Sequence, residues 1–215
     1  VLGLGFLAVR EFLSFLRNGT SDENMQPNPL VEGETRTEKV YAWGISQSGR
    51  YLREFVYSGY NQGPNIQRVF DAIWPHVAGA GRIWLNGRFA QPGRYPCQQT
   101  DHTYPSDQFP FAYSTTTDHL TGIADGIMKR PESDPLLFHT QTSAEYWERR
   151  GSLAHTTTSG HDLAPPDNVR MYMYAGAQHS NQPHDPPELG PHRHLTNPHN
   201  ITTIHRALLD ALNSW

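Results

Sequence analysis

The stretch "KVYAWGISQSGRYLREFVYSGY", residues 39–60, constrains this chain more than any other. A short apolar run ends at Gly44-Ile45-Ser46 and gives way at once to a helical pattern, with Leu52, Phe55 and Val56 on one face and Gly59 near its end. A serine on so sharp a strand-to-helix turn has the setting of a nucleophile elbow, which needs small residues two before and two after it so that the backbones can pass. Around Ser46 these are Gly44 and Ser48, with Gly49 one position further on. Ser48 is the rival nucleophile, but its flanks are Ser46 and Arg50, and an arginine is bulky where close approach is needed. A Gly-x-Ser-x-Ser run also serves as a plain helix N-cap. The strand before and the helix after favour the elbow. Arg50, just inside that helix, reads as a structural ion-pair partner rather than a substrate clamp.

Residues 39–46 are therefore expected to form a buried strand, and further strands follow. "VFDAIWPHVAGAG" predicts one that breaks at Pro75, and "PLLFHTQTSAEYWERR" predicts one that runs into a helix start. In "NVRMYMYAGAQHS", Val169, Met171 and Met173 alternate against Arg170, Tyr172 and Tyr174. At the two ends lie amphipathic helices, one with Val9, Leu13 and Leu16 on a face near Phe6 and Phe12, the other with Ile204, Leu208 and Leu212. Strands separated by helices or long excursions imply an α/β fold with a mostly parallel sheet and flanking helices. From Gly81 to Ser133 the text loses periodicity, and that segment is expected to be an irregular, cap-like insertion within a single domain over residues 1–215.

A serine hydroxyl needs a base within reach and a carboxylate to orient that base. In an elbow fold both follow the serine, acid first, each just past the carboxyl end of a strand. Of the 12 histidines, His179 alone follows a convincing late strand; His139 lies inside a strand and His76 at the end of another. Glu145 follows the third strand by a short loop, Glu148 is one turn beyond it, and Asp162 and Asp167 sit in a proline-rich loop. A first-turn carboxylate favoured by the helix dipole is the plain alternative for Glu145.

Other chemistries fit poorly. The formal net charge of −4 without a long basic run leaves no footprint for nucleic acid, and no apolar run approaches a membrane span. Cys97 is alone in the chain, so no internal disulfide or thiolate cluster is available. His184, Asp185, Glu188, His192 and His194 lack a zinc spacing, and Asp101, Asp107 and Asp118 lack the spaced acidic loop of an EF-hand. No metal and no cofactor is expected.

Taken in order, "GISQSGRYLREF", "PHVAGAGR", "FHTQTSAEYW" and "AGAQH" resemble a family of bacterial α/β-hydrolase domain proteins over nearly the whole chain. The resemblance implies Ser46 as nucleophile, His179 as base and Glu145 as acid, with residues 81–133 at the place of a cap. It departs from the usual pattern in Ser48 for glycine and in glutamate for aspartate. The backbone N–H of Gln47 then supplies one oxyanion-hole donor, whose partner comes from an early loop. The early strands of that fold are not visible, so the 215 residues are expected to be the carboxyl-terminal portion of a longer enzyme. The expected activity is cleavage of a small-molecule carboxylic ester; the alternative is a non-catalytic α/β-hydrolase-like binding domain or an inactive fragment. In the excursion, Trp84, Phe89, Tyr95, Tyr104, Phe109 and Tyr113 are candidates either for a substrate pocket or for a small core of its own.

Overall fold

The computed structural model describes residues 3–33, 35–83, 85, 107–179, 189, 193–195, 197 and 199–215. Helix α1 (Leu4–Asn18) buries Phe6 completely, with Val9 and Leu13 packed beside it and Gly19 just past its end. Phe12, expected near that face, is 60% exposed. Six residues at a helical step leave it about 120° off the direction of Phe6. The buried Asn28 closes the helix, its amide donating to the carbonyls of Phe15, Leu16 and Gly19.

Strand β1 (Tyr41–Ile45) leads through Ser46 into helix α2 (Gln47–Tyr57), and β2 (Ala72–His76) follows. Two short strands, β3 (Thr116–Thr117) and β4 (Ala124–Asp125), pair antiparallel inside the stretch read as irregular. Next come β5 (Leu136–Thr142), helix α3 (Ser143–Glu148), β6 (Val169–Tyr174) and helix α4 (Thr202–Ser214). The main sheet has the order β1-β2-β5-β6, every neighbouring pair parallel. Each strand therefore ends at the same edge, where loops can gather functional side chains.

Alternate residues of the strands face opposite layers. Ile73, Leu137 and Val169 join Leu52, Phe55 and Val56 of α2 and Phe6 of α1. Trp74 and Phe138 face the other way, onto Leu212 of α4. Tyr113, Ile127 and Met128, from the returning part of the 81–133 excursion, lie in the α2-side core.

Three strand expectations are corrected. Strand β1, at the end of the sheet order, buries only Gly44, with Trp43 54% and Ile45 40% exposed. Strand β2 does not stop before Pro75 but continues to His76, with Pro75 opposite Gly44. Its ladder with β5 is carried by Ala72, Ile73 and His76. The missing proline N–H thus costs a local contact and not the strand. In β6 the buried residues are Val169 and Tyr174, whereas Met173 is 45% exposed. Simple alternation fails because both faces of β6 are covered, Met171 packing toward α2 and Tyr172 toward α4.

Candidate active site

The junction between β1 and α2 is a strained turn. Ser46 has φ 56° and ψ −114°, a region that residues with a Cβ rarely enter. Such a residue costs on the order of 1–3 kcal/mol and persists only where its surroundings fix it. They do so through the backbone: Ser46 N–H donates to the His76 carbonyl at 2.8 Å, and Arg50 N–H donates to the Ser46 carbonyl at 3.0 Å. Gly44 permits the turn, since a Cβ there would lie 2.5 Å from the Ser48 carbonyl oxygen. The second tight position is Gly49, where a Cβ would meet the Gly44 oxygen at 2.9 Å and the Ala78 methyl at 3.0 Å. Ser48 is exposed. The small residue required on the helix side is thus three after the serine rather than two, and the serine at 48 is no obstacle. Gln47 opens α2, and as its first residue it has an N–H without an intrahelical acceptor, directed off the helix start.

Glu145 stands in the first turn of α3 and is 1% exposed. Its Oε2 accepts from the Thr142 backbone N–H at 3.1 Å and from the Thr142 hydroxyl. Its Oε1 is hydrogen-bonded to Nδ1 of His179. One carboxylate oxygen therefore caps the helix and the other bonds the imidazole. Burial pushes the Glu145 carboxyl up, but the bonds from His179 and Thr142 outweigh it and leave the group below its ordinary range.

The histidine reaches Glu145 because the chain reverses after β6. Gly176 has φ 76°, its N–H donates to the Ser143 hydroxyl at 2.8 Å, and Asn197 donates to its carbonyl. Ala177 is buried beside Tyr174 and Ile201, which anchors the loop to α4. With Nδ1 engaged by the carboxylate, Nε2 is the ring nitrogen left for another partner. Among the described residues no hydrogen bond joins Ser46 Oγ to His179. Ser46, Glu145 and His179 follow β1, β5 and β6, all at the carboxyl edge of the sheet.

The passed-over candidates lie elsewhere. His76 is buried against Thr140, its Nδ1 2.7 Å from Oγ1. His139 is buried under α2, where its Nδ1 accepts from Tyr113 at 2.6 Å and Arg53 at 3.2 Å. Glu148, Asp162 and Asp167 are exposed. Tyr113 belongs to the core, while Trp84, Phe89, Tyr95, Tyr104, Cys97, Asp101, His184, Asp185, Glu188 and His192 lie outside the described residues. Among the described residues no group of three or more histidine, cysteine or acidic side chains is placed to hold a metal.

Sequence reasoning missed Arg53. Its guanidinium is fully buried, donating to the carbonyls of Gly81 at 3.0 Å, Ala80 at 2.8 Å and Phe111. Its place one turn after Gly49, on the buried side of α2, was the available signal.

A parallel sheet with helices on both faces, carrying a strained serine turn and a carboxylate–imidazole pair at one edge, defines an α/β-hydrolase architecture. A family model described as an alpha/beta hydrolase domain matches residues 3–215, and the chain belongs to that family. Membership supports hydrolase chemistry in general. No curated protein and no solved structure gives a significant match.

Proposed function

We propose that the chain is a serine hydrolase acting on carboxylic esters, with Ser46 as nucleophile, His179 as general base and Glu145 as the orienting acid. The observation that carries this reading is the division of labour on Glu145, one oxygen spent on the helix and one on His179 Nδ1. In this mechanism Ser46 Oγ attacks the ester carbonyl carbon while its proton passes to His179 Nε2. The charge on the carbonyl oxygen is met by the Gln47 N–H at the positive end of α2. The tetrahedral adduct collapses, the C–O bond to the alcohol breaks, and the imidazolium returns its proton to the leaving alkoxide. Water, deprotonated by the same imidazole, then cleaves the acyl-serine and releases the acid. The excursion from Gly81 to Ser133 is read as a cap over this edge, and its tether to α2 through Arg53 supports that reading.

A fluorophosphonate probe followed by mass spectrometry tests the assignment. Labelling at Ser46 that is lost in His179→Ala supports it, whereas no label on a folded sample overturns it. The alternative, a binding domain that keeps the scaffold, draws on the absence of a Ser46–His179 hydrogen bond among the described residues. It requires Ser46→Ala to leave every function of the chain intact.

A further inference from the structure

The ladder between β5 and β6 closes at Thr142 opposite Tyr174. From that last rung the two chains leave the sheet side by side, one reaching Glu145 three residues on and the other His179 five residues on. Two consecutive hydroxyl residues govern both departures. Thr142, buried and still extended at φ −105° and ψ 177°, gives its backbone N–H and its hydroxyl to Glu145 Oε2. Ser143, the first residue of α3, accepts the Gly176 N–H at 2.8 Å, where the chain after β6 turns back with φ 76°.

A helix start alone does not ask for this chemistry. Thr142 and Glu145 form a capping box, but aspartate, asparagine and serine cap helices as well as threonine does. An aspartate at this position would set a second carboxylate against the buried Glu145, whereas a hydroxyl brings it a proton. Burial pushes the Glu145 carboxyl up, and the bonds from His179 and Thr142 together bring it below its ordinary range. With Oε2 held by two donors of one residue, the carboxylate cannot turn without giving up both, and Oε1 stays on His179 Nδ1.

We infer that Thr142 and Ser143 are positioning residues for the acid–base pair: the Thr142 hydroxyl fixes which oxygen of Glu145 faces His179, and the Ser143 hydroxyl fixes the loop that presents the ring. The inference rests on the serine-hydrolase reading for its catalytic meaning. The contact it concerns, between Glu145 and His179, is observable without turnover. The two hydroxyls secure that contact from its two ends, and each acts on the rate through His179.

NMR of histidine-labelled protein at neutral pH reads the contact directly, because an Nδ1–H held by a carboxylate exchanges slowly with water and resonates far downfield. The wild type is expected to show this resonance for His179, assigned by its loss in His179→Gln. In Thr142→Val, which keeps the shape and removes the hydroxyl, the resonance is lost or broadened, and kcat falls roughly ten- to hundredfold with KM held. Thr142→Ser restores both, since the donor returns and the methyl does not. Ser143→Ala broadens the same resonance and lowers kcat by about three- to tenfold. A Thr142→Val protein with a native circular dichroism spectrum that keeps both the resonance and kcat overturns the inference. So does a Thr142→Ser protein no better than Thr142→Val, because the methyl is then what matters. If Thr142→Val does not fold, the half-buried Ser143 carries the test, and an unchanged resonance and rate in Ser143→Ala overturns the inference. A resonance that responds as described in a protein whose Ser46 takes no fluorophosphonate removes the hydrolase reading and leaves the positioning intact. Labelling at Ser46 with no response to either variant does the reverse.

Discussion

The proposed nucleophile and the proposed base are held in different ways. Ser46 is fixed by main chain: its N–H on His76, its carbonyl under Arg50, and two glycines that let β1, α2 and the post-β2 segment touch. His179 is held at the end of a loop by one side-chain bond to Glu145, and its own side chain is 42% exposed. A strained residue has to be over-determined by its surroundings, whereas an imidazole in the proposed role of base needs only one firm contact and an open second nitrogen. The serine end is thus sensitive to shape and the histidine end to hydrogen-bonding chemistry.

The sharpest test of that contrast is Glu145→Gln. It keeps the shape but presents the wrong hydrogen-bonding group to His179, and turnover is expected to fall roughly 10³- to 10⁴-fold while circular dichroism still reports the native fold. Retention of most activity would mean that the carboxylate serves α3 alone. On the other side, Gly44→Ala changes no functional group but sets a methyl against the Ser48 carbonyl. We expect a loss on the order of 3 kcal/mol in urea unfolding, and a neutral result would show that the elbow can relax.

Ser46→Gly separates strain from chemistry. It should abolish turnover yet raise stability by about 1 kcal/mol, because glycine takes a positive φ without penalty. A destabilised, folded variant would contradict the account of the turn.

Protons probe the histidines on both sides of the sheet. Burial, with repulsion from Arg53, His76 and His155, holds the His139 pKa well below its ordinary value, and burial lowers that of His205. The unfolded chain takes up these protons below about pH 6.5 and the folded chain resists them. Stability is therefore complete above that pH and declines as pH falls through it. Melting curves at successive pH values should show the decline, and His139→Gln should flatten it. Glu145 acts in the same direction at lower pH, its contribution being complete above the ordinary carboxylate pKa and lost as pH falls through the depressed folded value. The smallest change expected is for Ser48→Gly, within about 0.5 kcal/mol, since the exposed Ser48 is not the close contact.

What could be read from the chain followed from local rules. The strand-to-helix switch at Ser46, the carboxylate after β5 and the histidine after β6 are punctuation that one sequence displays, and the pairing of Glu145 with His179 matches the order of strands. Long-range packing was not legible. The crowding at Gly49 depends on Ala78, 29 positions on, and the carboxylate that acts on Arg50 comes from Asp107, far along the chain. Pro75 misled because a rule about ladder donors was applied without knowing which register the sheet would adopt. The alternation in β6 failed because period two identifies a buried side only when the other side is wet.

Arg53 bears on how this scaffold tolerates change in its chain length. Its guanidinium holds the carbonyl of Gly81, where the chain leaves the sheet layer, and that of Phe111, where it returns. A segment clasped at both ends can lengthen or shorten between those points at an entropic cost that grows only with the logarithm of its length. The clasp therefore marks a splice boundary. Sequence between positions 82 and 110 is where variants of this chain can change in length, while the strained Ser46 and the Glu145–His179 pair stay where the sheet put them.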